Sequence, residues 1–414
     1  MVTSVISAGD AANLGVQTTG GNDGVLVLRS GAAGAKVDAL SIAASGTATF
    51  VGEVAGVSAI NSGQIGGRRN ILYNGEMKVA QRSASETGLG AASGYFTLDR
   101  WQMLVGATSA GRFTMAQVAD GPAGFANCMK FTTTTADTSI AAGEYLLLTQ
   151  LIEGQDLQQL KKGTASAEQV TVSFWVKGNA AAVYVYELQD VDNNRVIQQS
   201  FAVTTSWNRI ELTFAADTTG AFGDDNGSSL YINIWLHAGS TYAGGTFASN
   251  TWTSITQANR AAVDGFTSIF DATSRTLFIT GVQMEIGATA TEFESRSYGE
   301  ELALCQRYFE KVAYNIASQD LCAFATPQTT TGVGAYQFKV TKRANPTNAY
   351  SALSDFVVFG ASYGSNTPNA LNMVSSTTEV ALNPTIAATN FLQQGASFLR
   401  LSGSSGFLTF SAEL

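Results

Sequence analysis

The sequence predicts an all-β protein: an antiparallel β-sandwich of the jelly-roll type, with a short N-terminal stalk region, one short helix and a C-terminal β domain. Three observations predict this fold class. Apolar and polar residues alternate with period two in many segments, and Gly- and Asn-rich turns separate those segments. The composition is 45% hydrophobic but only 13% charged, with 42 glycines and 5 prolines, which is typical of many short strands joined by tight turns.

The first region, residues 1–67, is rich in Gly, Ala, Ser and Thr. Its segments 25–29, 40–42 and 46–51 are predicted to be very short strands. Such strands are too short, and their side chains too small, to form an independent core. We interpret the region as an attachment or stalk segment that becomes ordered by pairing with other copies of the chain; the alternative is a disordered tail.

The second region, residues 68–297, is predicted to be the sandwich. In segment 170–177 the apolar residues Val170, Val172, Phe174 and Val176 share one face. Further strands are predicted at 182–189, 195–198, 209–214, 230–237 and 277–285. The polar segment 190–194 is predicted to be a hairpin turn. It resembles the start of a calcium loop but lacks the glycine and the glutamate of that pattern.

A linking helix is predicted over residues 298–312. Glu300 and Glu301 lie near its start and Lys311 near its end, which are the positions that the helix dipole favours for these charges. Residues 313–414 then form the predicted C-terminal β domain. Its predicted strands are 333–340, 355–359 and 398–401.

Charge and cysteine content exclude several classes of protein. The net charge is −9 and the longest basic runs are pairs, so the sequence predicts no nucleic-acid partner. No segment approaches the roughly 20 apolar residues of a membrane span, so no membrane insertion is predicted. The three cysteines are expected to be free and mostly buried. Without a recognisable signal peptide, the chain is expected to be made and folded in a cytosol.

The candidate binding residues lie on the polar faces of two predicted strands. In one strand Trp175 lies opposite the apolar face; in the other, Tyr231, Asn233, Trp235 and His237 alternate with aliphatic residues. Aromatic rings beside hydrogen-bonding groups suit the apolar faces and hydroxyl edges of a sugar. The five residues are therefore predicted to form one glycan-binding sheet face. The alternative is that a loop, the helix or a neighbouring subunit covers this face.

Catalysis has little support in the sequence. The carboxylates Glu144, Glu153 and Asp156 are candidates for glycoside hydrolysis, but nothing in the sequence pairs two of them. His237 is the only histidine and has no nucleophile motif nearby. No phosphate loop, dinucleotide-binding fingerprint or zinc-ligand spacing is present. The sequence predicts no catalytic residues, no cofactor and no metal.

Three groups of segments carry a resemblance to a known family. They are 69–82 with 95–101, 173–178 with 207–214, and 281–287 with 291–298 and the helix through Tyr308. In these segments the chain resembles phage tail-fibre and receptor-binding proteins with a carbohydrate-binding-like jelly-roll domain. The resemblance implies a homotrimer on the virion surface, with the N-terminal region bound to other virion proteins and the sandwich facing outward.

The expected function is therefore that of a virion structural protein: a tail fibre, made in the host cytoplasm, that attaches to host cell-surface glycans. Two alternatives stay open. One is a capsid fibre or decoration protein without receptor activity. The other is a glycan-degrading tail spike, which predicts a long β-helix with regular repeats that this sequence lacks.

Overall fold

The structure is a computed structural model. It describes residues 26–30, 37–42, 48–50, 59–60, 63–64, 68–107, 109–314, 319–360, 364–386 and 395–414. The chain divides into two compact units, residues 1–60 and 61–414.

In the first unit and up to residue 67, the strands are β1 (Leu26–Ser30), β2 (Val37–Ile42), β3 (Ala48–Phe50), β4 (Ala59–Ile60) and β5 (Gly63–Gln64). β1, β2 and β3 form an antiparallel sheet, in agreement with the short strands predicted there. The rest of the predicted stalk segment lies outside the described residues.

The sandwich comprises β6 (Ser85–Leu89), β7 (Gln102–Gly106), β8 (Arg112–Val118), β9 (Cys128–Thr135), β10 (Tyr145–Glu153), β11 (Val170–Gly178), β12 (Ala182–Asp190), β13 (Arg195–Val203), β14 (Asn208–Phe214), β15 (Ser228–Ala238), β16 (Thr253–Ser254) and β17 (Thr276–Ile286). The one-turn helix α1 (Ser240–Ala243) follows β15.

Two six-stranded antiparallel sheets form this sandwich. Sheet A has the strand order β16, β13, β12, β15, β10, β7, and sheet B has the order β14, β11, β17, β9, β8, β6. Their inner faces enclose one large core, to which Val172, Phe174 and Ile234 contribute fully buried side chains. The predicted all-β class and the antiparallel jelly-roll sandwich are confirmed.

The 190–194 segment forms the predicted hairpin turn between β12 and β13. The carboxylate of Asp190 is buried and accepts hydrogen bonds from Asn193. Lys162 lies 2.5 Å from this carboxylate and 3.1 Å from that of Asp217. The ammonium group of Lys162 therefore balances the negative charge that a bound cation would otherwise balance at this turn.

The linking helix is shorter than the sequence predicts. Helix α2 (Tyr298–Gln306) begins with a capping box between Ser297 and Glu300. The prediction of helix up to residue 312 is wrong, because β18 (Phe309–Ala313) follows almost at once. This segment pairs with a strand about 100 residues later in the chain, and that tertiary pairing outweighs its local helical pattern.

The C-terminal strands are β19 (Gln319–Thr326), β20 (Val333–Gln337), β21 (Thr347–Tyr350), β22 (Phe356–Gly360), β23 (Gly364–Asn366), β24 (Ala370–Ser375), β25 (Glu379–Thr385), β26 (Gly395–Leu401) and β27 (Phe407–Ser411). Sheet C has seven strands in the order β23, β22, β26, β19, β20, β25, β24. Sheet D has three, in the order β18, β27, β21. They enclose a second core that includes Phe356, Leu399 and Phe410.

The sandwich and the C-terminal sheets meet around a buried arginine. The guanidinium of Arg100 donates hydrogen bonds to the carboxylate of Glu413 and, at 2.5 Å, to the carbonyl oxygen of Leu151. It also lies 3.5 Å from the ring centroid of Tyr308. Arg82 adds a second ion pair to Glu413 at 2.9 Å. The last residues of the chain are thus held against the sandwich by buried charge pairs.

Among the described residues, neither helix has the length and apolar character needed to cross a membrane.

Candidate functional site

The five predicted binding residues do not share one sheet face. Trp175 lies on β11 in sheet B, whereas Tyr231, Asn233, Trp235 and His237 lie on β15 in sheet A. Both sets face away from the shared core, so they lie on opposite sides of the sandwich. The prediction of a single face is wrong in this respect. Alternation reveals which residues of one strand share a face, but not which strands share a sheet.

On sheet B, Trp175 is half-buried. It packs near Phe125, and both side chains approach Gly281 of the neighbouring strand. A Cβ on Gly281 would lie 2.7 Å from the ring of Phe125 and 3.1 Å from that of Trp175, and φ of Gly281 is +64°. Glycine is required there because both the space and the left-handed backbone exclude a side chain.

On sheet A, residues 239–266 cross the outer face, except at the edge strand β16, beside which Trp252 packs against the inner core. We call residues 239–266 the covering segment. Gln198 of β13 donates a hydrogen bond to the carbonyl oxygen of Asn259 at 2.8 Å, and Tyr242 packs against Trp235. Asn233 and Trp235 are consequently 0% exposed, while Tyr231 stays half-buried; His237 is also 0% exposed, between Ser268 and Glu144. For these three residues the structure has the covered arrangement that the sequence left open as an alternative.

The covering segment leaves a pocket of about 230 Å³ above sheet A. Its lining residues are Leu104, Tyr145, Leu147, Gln189, Tyr231, Trp235, Tyr242, Gln257 and Arg260. Three aromatic rings form one wall: the centroid of Trp235 lies 5.4 Å from that of Tyr242 and 6.1 Å from that of Tyr145. The two tyrosine rings meet edge to face at 5.0 Å. Trp235 has no exposed surface, so this wall offers a ligand the partly exposed rings and the hydroxyl groups of Tyr145 and Tyr242.

The polar wall of the pocket is built around Arg260. Its Nε donates to Glu187 at 2.9 Å, and its Nη2 donates to both Glu187 and Gln189. Burial alone would lower the pKa of Arg260, but the charge and hydrogen bonds of Glu187 outweigh it and raise that pKa. The guanidinium also lies 4.9 Å from the ring centroid of Trp235. The arginine is therefore fixed in place beside the aromatic wall.

Several buried polar atoms on this face lack a hydrogen-bond partner within the described part of the chain. They are Nε1 of Trp235, Oδ1 of Asn233 and Oε1 of Gln198. A buried polar atom without a partner costs roughly 1–3 kcal/mol. All three atoms lie beneath the surface, so their lack of a partner is a cost of covering this face of the sheet.

Sequence reasoning found two pocket residues, Tyr231 and Trp235, and missed the others. Gln189 could have been predicted from the sequence, because Glu187 and Gln189 alternate with the inward-facing residues of β12. Tyr145 begins a predominantly apolar strand, and Tyr242 and Arg260 lie in the covering segment. No periodicity marks a loop residue as a neighbour of a sheet face.

His237 does not line the pocket. Its Nδ1 lies 2.7 Å from Oγ of Ser268, and its Nε2 lies 3.3 Å from Oε2 of Glu144. Burial lowers the pKa of His237, although the hydrogen bond to Glu144 and the charges of Glu144 and Asp137 act in the opposite direction. The imidazole is therefore neutral at pH 7.

The three carboxylates considered for glycoside hydrolysis have three different environments. Glu144 contacts His237, Glu153 forms an ion pair with Arg307 at 2.7 Å, and Asp156 accepts a hydrogen bond from the hydroxyl of Tyr73 at 2.8 Å. None of the three lines the pocket over sheet A. All three cysteines are free, and Cys128 and Cys305 are buried, as predicted.

No known family profile and no curated protein matches the chain. Among solved structures, a family 11 carbohydrate-binding module from Clostridium thermocellum in complex with a mixed-linked tetrasaccharide is 13% identical, with 50% of this chain and 99% of that chain covered and a TM-score of 0.25. A tailspike protein 4 domain of bacteriophage CBA120 is 13% identical, with coverages of 52% and 21% and a TM-score of 0.27. An exo-β-agarase is 9% identical, with coverages of 55% and 26% and a TM-score of 0.26. At these TM-scores the likenesses carry no argument about function.

Proposed function

We propose that this chain is a non-enzymatic, glycan-binding protein of a phage-like virion surface, and that the pocket over sheet A is its glycan site. One observation carries the proposal: the partly exposed rings of Tyr145, Tyr231 and Tyr242 line a pocket whose other wall is the hydrogen-bonded pair Arg260 and Gln189. Sugars bind by stacking their C–H faces on aromatic rings while their hydroxyls bond to fixed polar groups.

The pocket is small, so it suits one or two sugar units. Weak binding at each site is then strengthened by several sites on one particle, because avidity rises when linked sites engage together. The covering segment determines access to the pocket. Tyr242 lies on that segment and outside the strands of sheet A, so it is the aromatic pocket residue that is easiest to substitute.

The test is a glycan-binding measurement on the full chain. Binding to an array of bacterial surface oligosaccharides is compared for the unaltered protein and for Tyr242→Ala, Tyr231→Ala and Trp175→Ala. The two tyrosine variants are expected to lose tenfold or more in affinity, about 1.4 kcal/mol or more. Trp175→Ala is the matched control, because that aromatic side chain lies on the other sheet.

Loss of binding in Trp175→Ala alone would move the site to sheet B. If the unaltered protein binds no arrayed glycan, the proposal fails and a structural capsid fibre or decoration protein becomes the better reading. Release of reducing sugar from bacterial envelope would instead favour a glycan-degrading tail spike.

We assign the protein to a tail fibre because of the sequence resemblance described above. In that assignment residues 1–67 attach to other virion proteins, the chain is a homotrimer, and it is made in the host cytoplasm before assembly on the particle.

The outer face of sheet C supports self-association, with a second copy of this chain as the partner. Phe359 and Phe398 are neighbours across β22 and β26, and Val333 and Val374 lie on the same face of the sheet. Phe398 is 42% and Val374 61% exposed. Small alanines lie between these residues: Ala323, Ala325, Ala335, Ala381 and Ala396.

The net charge opposes association between copies, and the outer face of sheet C is where it does so least. Copies with a net charge of −9 repel one another. On this face the charges of Arg400 and Asp320 compensate each other at 2.6 Å. An apolar face of this kind is the part of the surface where two such copies approach with least repulsion.

A further inference from the structure

Three potential metal ligands converge at one end of sheet A, outside the pocket. Asp137 follows β9, Glu144 directly precedes β10, and His237 lies near the end of β15. One ligand atom of each lies within 4.8 Å of those of the other two. The residues are 5%, 4% and 0% exposed.

The hydrogen bonds around the cluster hold its ligand atoms in place. Asp137 accepts hydrogen bonds from Oγ of Ser109 at 2.7 Å and from the backbone N–H groups of Ala110 and Ser139. Both carboxylate oxygens of Asp137 are therefore held in fixed positions. Ser268 holds Nδ1 of His237 and so directs Nε2 toward Glu144.

In the described part of the chain, neither Asp137 nor Glu144 forms an ion pair with a lysine or an arginine, and the one side-chain partner of Glu144 is His237. Buried acidic side chains are normally paired or coordinate a metal ion. A divalent cation would be a shared partner for both groups.

The spacing and the donor types indicate the class of ion. Zinc bonds of 2.0–2.2 Å in a tetrahedron separate neighbouring ligand atoms by roughly 3.3–3.6 Å. Nε2 of His237 and Oε2 of Glu144 are already 3.3 Å apart. An imidazole nitrogen suits Zn²⁺ and related transition metals, whereas Ca²⁺ and Mg²⁺ prefer oxygen ligands alone.

We propose that Asp137, Glu144 and His237 form a zinc-class metal site with a fourth position for water. Ser268 is then the outer hydrogen-bond partner that orients the histidine, a usual feature of metal-binding histidines. The ion would tie the segment between β9 and β10 to the end of β15. This inference contradicts the sequence-based expectation of no metal, and it does not depend on the proposed glycan function.

The metal-free alternative is a simple hydrogen-bonded chain. In it the hydroxyl of Ser268 donates to Nδ1, and the Nε2–H group of His237 donates to Glu144. The metal site and the hydrogen-bonded chain use the same atoms in the same positions, so a measurement of metal binding distinguishes the two.

The experiment uses the untagged full chain, dialysed against a chelator and titrated with Zn²⁺ by calorimetry. One ion per chain is expected, with a higher melting temperature, because the folded state alone assembles the site. Glu144→Gln and Asp137→Asn are expected to weaken Zn²⁺ binding at least tenfold. Their melting temperatures without metal check that they still fold.

X-ray absorption of the zinc-loaded protein identifies the ligands. His237 is the only histidine, so an imidazole signature assigns the ion to it. Cys322, the one half-buried thiol, is controlled by Cys322→Ser, which should bind Zn²⁺ unchanged. The proposal is overturned if zinc has no effect on the melting temperature, if the two carboxylate variants bind normally, or if the bound ion shows no imidazole ligand.

Discussion

The outer face of sheet A in the sandwich is covered, whereas the outer face of sheet C in the C-terminal region is open. Sheet A is covered by a segment of its own chain, which buries Trp235 and Asn233 and leaves a lined pocket. Sheet C leaves Phe359, Phe398 and Val374 exposed. A region that covers its own aromatic face can form a small-ligand site, whereas an open apolar face is available to a large partner.

The largest effect is expected where the two regions join. Glu413→Ala leaves Arg100 buried beside Leu151 without its counter-ion, so the free energy of unfolding should fall by roughly 3–5 kcal/mol. Chemical denaturation, followed by tryptophan fluorescence for the sandwich and by circular dichroism for the whole chain, measures it. Because all five tryptophans lie in the sandwich, separate transitions would show that the regions unfold independently.

The control for that variant is Glu168→Ala, which breaks the exposed pair with Lys161. An exposed pair contributes about 0–1 kcal/mol. Equal losses in the two variants would contradict the buried-charge explanation.

A smaller effect is expected on the pH dependence of stability, through Asp99 on the sandwich side of the junction. Burial raises the pKa of Asp99 from 3.8 to about 6, and Arg82 and Gln81 offset this only in part. The folded state therefore binds this proton more tightly than the unfolded state. The stabilisation that the protonated Asp99 gives to the folded state is fully present below pH 3.8 and is lost as the pH rises through about 6.

Over that interval the loss amounts to about 3 kcal/mol. Asp99→Asn should remove this part of the pH dependence, as measured by denaturation midpoints between pH 3.5 and 7. The exposed residue Asp120 provides the comparison: Asp120→Asn should keep the wild-type slope. A wild-type slope in Asp99→Asn would mean that another group titrates.

The smallest expected effect tests the open face of sheet C. Phe398→Ser should weaken self-association by tenfold or more, since about 1.4 kcal/mol of lost apolar burial corresponds to a factor of ten. Analytical ultracentrifugation over a concentration series measures it. Ile140→Ser removes an equally exposed apolar side chain from the sandwich and should leave association unchanged.

A monomeric wild-type protein at high concentration would contradict the assignment of this face to a second copy. Equal weakening of self-association in the Ile140→Ser variant would contradict that assignment as well.

Much of the fold could be predicted because strand alternation is a local property. The inward face of β11, with Val172 and Phe174, and the hairpin around 190–194 were both found in this way. The helix after residue 298 was placed correctly at its start, where Ser297 and Glu300 form a cap, but not at its end. Phe309–Ala313 pairs with β27, and a contact over such a distance leaves no local signal.

By itself the sequence determined the strands, the turns and the two faces of each strand, because backbone geometry alone imposes a period of two. Only the tertiary structure decided which strands share a sheet, and so separated Trp175 from Trp235. It also brought Tyr242 and Arg260 over sheet A, and placed Glu144 beside His237, 93 residues away. Such pairings depend on how whole sheets pack and how loops cross them, and no short stretch of sequence encodes that.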